Sequence, residues 1–148
     1  MIYPINSIEQ KLGFSQIREL LKQRCLSTLG RSVVDAMQFS TNHSDIIKRL
    51  RQTDEFIRLT EEFDNFPRDY WFDPREYLAR ITPDGTYLSE NELFEIRRSL
   101  QAIAAIVTFL SIRSEDEFPS LKALAERVES SEAICRHIDS ILNKFGKL

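Results

Sequence analysis

Few residues of this sequence have the type and spacing that catalysis requires. Cys25 could act as a nucleophile only with a base beside it, so a half-buried structural thiol is the favoured interpretation. His43 and His137 lie far apart in the sequence, and we interpret both as surface residues rather than as metal ligands or catalytic bases. Cysteine- and histidine-based catalysis are therefore not indicated.

Motifs that bind phosphate or metal ions do not occur in the sequence. It contains no G-x-x-x-x-G-K-[ST], G-x-G-x-x-G, H-E-x-x-H or C-x-x-C pattern. The four glycines, at positions 13, 30, 85 and 146, are too scattered to form a phosphate-binding loop. Glu61, Glu62 and Asp64 could form an acidic patch, but the solvated end of a helix is the better interpretation. We expect no catalytic, cofactor-binding or metal-binding residue in this chain.

Two other features could bind a partner. The first is a local excess of basic side chains near the N-terminus, which could contact nucleic-acid phosphates but is more typical of a solvated face. It consists of Lys11, Arg18, Lys22, Arg24 and Arg31. The second is the aromatic loop, residues 64–72, with the sequence DNFPRDYWF. Its rings, Phe66, Tyr70, Trp71 and Phe72, could stack on bases or anchor a protein, but packing inside the chain is favoured.

Composition indicates an ordinary globular protein with one domain spanning residues 1–148. Hydrophobic residues make up 42% and charged residues 29% of the 148 residues, which is enough for a packed core. The net charge of −3 argues against nucleic-acid binding by the chain as a whole. Two separated cysteines, no secretory signal and no long apolar run predict a cytoplasmic protein with no membrane segment.

Apolar residues recur at helical spacing along the chain, and no segment alternates with the period of a strand. The pattern predicts an all-α fold, an irregular bundle of about six or seven helices, two of them long, with a short turn region near residues 82–88. The predicted helices are 15–24, 27–37, 42–63, one starting at 73–74, 89–112, one starting at 118–119 and one starting at 131.

Helix caps supply the structural residues that the sequence singles out. Ser15, Ser27, Asn42, Asp73, Ser89 and Ser131 are the predicted caps. Ser89 and Glu92 have the spacing of a capping box, in which each side chain accepts a hydrogen bond from the other residue's backbone. Gly30 lies in the first turn after Ser27, where glycine is unfavourable. We interpret Gly30 as a site where the second helix packs closely against a neighbour.

The order of these segments resembles the N-terminal region of the MutS family, in particular its Smr-bearing second branch. The resemblance covers nearly the whole chain and rests on order and spacing rather than on one motif. The matching segments are Ile17–Leu21, Ser27–Arg31, Asn42–Phe63 with Thr53–Glu55, Asp73, Gly85–Leu93, Pro119–Leu121 and Ile134–Gly146.

The resemblance implies a longer parent protein, with lever, clamp and ATPase domains and often an Smr nuclease domain after this region. Such a parent would be a homodimeric DNA-binding ATPase that uses ATP and magnesium and acts in mismatch recognition, recombination control or ribosome rescue. This chain would be its structural and transducing core segment, non-catalytic itself and in contact with the rest of the parent. The alternative is a stand-alone helical module that binds a protein through residues 66–72.

Overall fold

The computed structural model describes residues 9–68, 70–129 and 131–147. The all-α prediction is confirmed, because these residues form helices and connecting segments without a strand. Seven helices lie wholly within them. They are α1 (Phe14–Arg24), α2 (Thr28–Asp35), α3 (His43–Glu62), α4 (Arg75–Arg80), α5 (Glu90–Ser111), α6 (Pro119–Ala125) and α7 (Glu132–Ile141). As predicted, two are long: α3 has 20 residues and α5 has 22.

The chain divides into two compact units, Met1–Thr41 and Asn42–Leu148, where the sequence suggested one domain. Residues 37–42 between α2 and α3 have no regular secondary structure. Among the described residues no helix combines the length and the apolar character needed to cross a bilayer.

In the first unit, α1 and α2 are joined through the guanidinium of Arg18. Its Nη2 donates to both carboxylate oxygens of Glu9 at 3.0 Å and to the carbonyl of Met37 at 3.1 Å. Its Nη1 donates to the carbonyl of Val34, near the C-terminal end of α2. A cation at this end satisfies carbonyls that have no partner inside the helix and interacts favourably with the helix dipole.

The cap at the start of α1 differs from the prediction. Ser15 lies inside the helix, and Gly13 is the N-cap residue, with φ of 72° and no side-chain hydrogen bond. Glycine adopts a positive φ readily, which suits Gly13 to this position. Because the helix begins at Phe14, Ser15 lies too late in the chain to cap it. At α2 the Oγ of Ser27 accepts a hydrogen bond from the backbone N–H of Gly30 at 3.2 Å.

Gly30 faces Cys25 rather than another helix. A methyl group added at Gly30 would lie 3.3 Å from the Cβ and 3.4 Å from the Sγ of Cys25. We therefore expect Gly30→Ala to destabilise the protein by about 1 kcal/mol, because the Cys25 Cβ is held by its backbone and overpacking outweighs the helix propensity of alanine. The urea midpoint followed by circular dichroism tests this expectation, and a higher midpoint in the variant contradicts it.

In the second unit α5 contributes residues to two hydrophobic cores. The first core joins α3, α5 and α6; its buried residues are Leu59, Phe66, Phe109, Leu110, Phe118 and Leu121. Edge-to-face ring pairs link it, with Phe66 and Phe109 centroids 5.2 Å apart and Phe63 and Phe109 centroids 5.7 Å apart. The second core joins α5 and α7; its buried residues are Ile96, Ile138 and Leu142.

Several predicted helix boundaries and inward-facing residues need correction. Helix α4 begins at Arg75 with Pro74 as the N-cap residue, while Asp73 accepts the N–H of Arg75 at 3.1 Å. Ser131 makes no side-chain cap at α7, because its backbone (φ −104°, ψ 13°) is not extended as a capping residue's usually is. Some of the apolar residues that recur at helical spacing remain exposed in the described structure. They are Ile17, Leu20, Leu21, Leu29, Val33, Ile46, Leu50, Ile57, Ile103, Leu124, Val128, Ile134 and Ile141, of which Val128 lies beyond the end of α6.

The start of α5 contains the capping box read from the sequence. The Oγ of Ser89 accepts the N–H of Glu92 at 3.4 Å, and the Glu92 carboxylate accepts the N–H of Ser89 at 2.8 Å. The same carboxylate pairs with Arg80. The hydrogen bond from the Ser89 backbone, with that from Arg80, holds the pKa of Glu92 below its usual value.

This lowered pKa predicts a pH dependence of stability. A carboxyl group with a lower pKa in the folded state stabilises the fold above its unfolded pKa, roughly 4.3, and that contribution is lost as the pH falls through the folded pKa. We expect the urea midpoint of the natural chain to fall more steeply below about pH 4.3 than that of Glu92→Gln, whose amide oxygen still caps the helix. Parallel profiles for the two proteins would contradict this.

Candidate interaction surface

The aromatic loop divides into packed and exposed rings. Phe66 is buried in the first core, in agreement with the favoured interpretation. Tyr70 donates its hydroxyl proton to the Glu95 carboxylate, and the Arg98 guanidinium lies 4.1 Å from its ring centroid. Burial, together with this hydrogen bond, raises the pKa of Tyr70 above its ordinary value. Trp71 keeps 40% of its surface exposed.

Trp71 lines a groove that runs along α5, which we call the α5 groove. The first part of the groove encloses about 250 Å³ between α3, the aromatic loop, α5 and α6, and its lining is almost wholly apolar. Its exposed walls include Phe56, Trp71, Ile103, Leu124 and Val128. Large apolar side chains that remain together at a surface are typical of interaction sites.

The groove continues between α5 and the segment that connects α6 to α7. This second part encloses about 410 Å³ and shares Ile103, Val107 and Val128 with the first. Its lining also includes Glu129, Glu132 and Cys135. The α5 groove therefore has an apolar first part and a second part of mixed polarity.

The wall of the groove that α5 forms carries no charged side chain. No charged residue occurs between Arg98 and Arg113, although α5 exposes Gln101, Ile103 and Ala104 in this stretch. An exposed helix face normally carries charged side chains opposite its buried stripe. The exposed stretch of α5 between Arg98 and Arg113 therefore differs from an ordinary solvated helix face.

The other residues that the sequence proposed for binding or chemistry are not brought together in a site. Two side chains of the basic set make contacts within the first unit. Arg18 donates to the carbonyl of Met37, and Lys22 forms an ion pair with Asp35 at 2.9 Å. His43 and His137 are exposed, and the described residues contain no cluster suited to a metal ion. The carboxylates of the acidic patch, Glu61, Glu62 and Asp64, are exposed at the end of α3. Cys25 is partly buried and donates its thiol proton to the Leu21 carbonyl.

Sequence reasoning missed four buried polar residues of the second unit. They are Glu55, Arg97, Ser99 and Lys122, and three of them, Glu55, Arg97 and Lys122, bond to other segments. Glu55 accepts the backbone N–H groups of Ser120 and Leu121 at 3.1 and 2.9 Å, and so caps α6 from α3. Arg97 donates to Asp139 at 2.8 Å, and Lys122 donates to the Arg113 carbonyl at 2.6 Å.

The feature near α6 that points to the Glu55 contact is the lack of a capping side chain at the start of the helix. Phe118, the N-cap residue of α6, has a left-handed backbone (φ 53°, ψ 48°) and no side chain that can accept a hydrogen bond. A helix start without its own cap requires an acceptor from elsewhere. The sequence does not reveal which of its many carboxylates supplies it, because Glu55 is 65 residues away from Ser120.

Comparison with known proteins finds relatives that share the name endonuclease MutS2. No family model and no solved structure matches the chain. It is 26% identical over 139 residues to endonuclease MutS2 of Geobacillus sp. (strain WCH70), which is 93% of this chain and 18% of that protein. It is 27% identical over 124 residues to endonuclease MutS2 of Alkaliphilus oremlandii and 29% identical over 124 residues to that of Latilactobacillus sakei.

These similarities support a relationship to the MutS2 family over most of the chain. The last two matches cover 83% of the chain and 16% and 15% of the relatives. The chain thus spans less than a fifth of the length of the relatives it matches.

Proposed function

We propose that this chain is a helical structural segment of a longer MutS2-like protein, the N-terminal core expected from the resemblance. The observation that supports this proposal is the match itself, which covers 93% of the chain but 18% of the Geobacillus protein. In such a protein the segment would connect nucleotide-driven movements of an ATPase to a DNA-gripping part and would have no catalytic residue of its own. ATP, magnesium, DNA and a second subunit would be bound by other parts of the dimeric parent.

The reading frame that encodes the chain provides the direct test. We expect it to continue into a G-x-x-x-x-G-K-[ST] phosphate loop, because the proposed parent is an ATPase. A reading frame that stops after codon 148 of the sequence contradicts the proposal and favours the stand-alone interaction module. That second function is favoured by one observation, the exposure of Trp71 in the α5 groove.

The isolated chain is expected to bind neither ATP nor duplex DNA tightly. Its net charge is −3, and two of its basic side chains are engaged in contacts with its own carboxylates. We expect a dissociation constant for duplex DNA no tighter than roughly 10⁻⁶ M at physiological salt, the limit of ordinary non-specific binding. Calorimetry measures the binding of ATP, and fluorescence anisotropy with labelled DNA measures the dissociation constant for duplex DNA. Stoichiometric ATP binding or sub-micromolar DNA binding would mean that this segment itself carries a binding site.

A further inference from the structure

The aromatic loop has contacts with both hydrophobic cores of the second unit. Its first ring, Phe66, is buried in the first core, with its centroid 5.2 Å from that of Phe109. Its last ring, Phe72, lies 5.2 Å from the ring of Tyr77, which packs against the second core. The loop is therefore a connection between the two cores that does not pass through α5.

Tyr70 attaches the middle of the loop to α5. Its hydroxyl donates to the Glu95 carboxylate, and its ring stacks on Phe72 with the centroids 6.4 Å apart. The Arg98 guanidinium lies 4.1 Å from the centroid of the Tyr70 ring, which is a cation–π distance. A hydrogen bond to a carboxylate is stronger than one between neutral groups. We call Tyr70, Glu95 and Arg98 the Tyr70 anchor.

The middle of α5 is a weak connection between the cores. Leu100 packs against the second core and Ile106 against the first. Of the five residues between them, α5 exposes four, at positions 101 and 103–105. Helical segments that are not packed against other elements are only marginally stable in water. A further contact between the cores is therefore expected to decide whether they unfold together or separately.

We propose that the Tyr70 anchor ties the two cores of the second unit into one cooperative body. With the anchor intact, the opening of one core is passed to the other through the packed rings of the aromatic loop. With the anchor removed, each core opens by itself. A segment that transmits movement between its two ends must not yield in the middle, and this use of the tie rests on the proposed function.

Unfolding of the two cores, measured separately in the same chain, tests the tie. A pulse of hydrogen exchange at each urea concentration, analysed by mass spectrometry, gives the unfolded fraction of α6 for the first core and of α7 for the second. Elements that unfold in one cooperative transition give the same midpoint with every probe. We expect α6 and α7 of the natural chain to share one midpoint.

Tyr70→Ala removes the anchor and leaves the buried residues of both cores in place. We expect the midpoints of α6 and α7 to separate by about 1 M urea. Helix α7 should unfold first, because the second core has three buried residues among those described and the first has six. Tyr87→Ala is the matched control, since Tyr87 is largely exposed and lies outside the loop, and its two midpoints should coincide. Coincident midpoints in Tyr70→Ala overturn the proposal.

A loss of stability without loss of the tie gives a different result. Leu59→Ala weakens the first core and leaves the anchor intact, so the midpoints of α6 and α7 should fall by equal amounts. Separate midpoints in this variant would contradict the proposal.

A milder variant keeps the test decisive if Tyr70→Ala does not fold. Tyr70→Phe retains the ring and loses the hydrogen bond to Glu95. Combined with Leu59→Ala, it should lower the midpoint of α6 more than that of α7, whereas equal decreases would overturn the tie. All these measurements use the chain itself and do not depend on its reading frame, so failure of the proposed function and failure of the tie are distinguishable.

Discussion

Replacing Leu59 with alanine is expected to lower the free energy of unfolding by about 3–4 kcal/mol. Leu59 has no exposed surface and lies in the first core with Phe66, Phe109 and Phe118. Removal of a buried leucine side chain costs the lost transfer free energy plus a term for the cavity, together about 3–5 kcal/mol. We expect the cost to be high because the surrounding rings are held in edge-to-face pairs and cannot easily close the space.

Trp71 makes this measurement specific to the second unit. It is the single tryptophan of the chain and lies within residues 42–148, so its fluorescence reports unfolding of that unit in urea. The control is Ile57→Ala, two residues away on α3, where half of the side chain is exposed. We expect a much smaller loss there. Equal losses at the two positions would show that Leu59 does not lie at the centre of the core.

Replacing Glu55 with alanine is expected to cost about 2–4 kcal/mol. Glu55 is buried, with 6% of its surface exposed, and its carboxylate accepts the N–H groups of Ser120 and Leu121. Hydrogen bonds to a charged acceptor contribute about 1.5–3 kcal/mol, and a buried N–H left without an acceptor carries its full desolvation cost. The negative charge also lies at the positive end of the α6 dipole.

Two further variants separate the charge of Glu55 from its shape. Glu55→Gln keeps the shape but only one acceptor oxygen, so we expect about half the loss seen with alanine. Asp54→Ala is the neighbouring control, because Asp54 is exposed and forms only a long pair with Arg58, 3.5 Å apart. Its effect should stay within about 0.5 kcal/mol. A Glu55→Ala midpoint equal to that of Asp54→Ala would show that α6 does not need this cap.

The sequence predicted the helices well because helix starts are encoded locally. Asn42, with its side chain accepting the N–H groups of Ser44 and Asp45, marks the start of α3, and Ser89 with Glu92 marks the start of α5. These contacts span three residues or fewer, so residue type and spacing suffice to predict them. Ser15 and Ser131 were mistaken for caps because a serine near a helix start caps it only when its backbone is extended, which residue type does not specify.

The candidate site could be predicted only in part. The aromatic loop was recognised from its composition, but the sequence could not tell that Phe66 enters the core while Trp71 stays at the surface. The apolar residues of α5 recur at helical spacing, but this pattern does not show that Ile96 belongs to one core and Phe109 to the other. Nor does it show that Ile103 and Val107 line the α5 groove.

The sequence by itself determined the helical class, the two long helices and most of their first residues, because these depend on interactions within a few residues. Only the tertiary structure decided which apolar face of each helix is buried and which carboxylate caps α6, because both depend on contacts between distant segments. Glu55 and Ser120 are 65 residues apart, and a helical pattern shows that a face is apolar without showing what covers it. For the same reason the α5 groove, which is lined by residues as distant in sequence as Phe56 and Val128, became visible only in the folded chain.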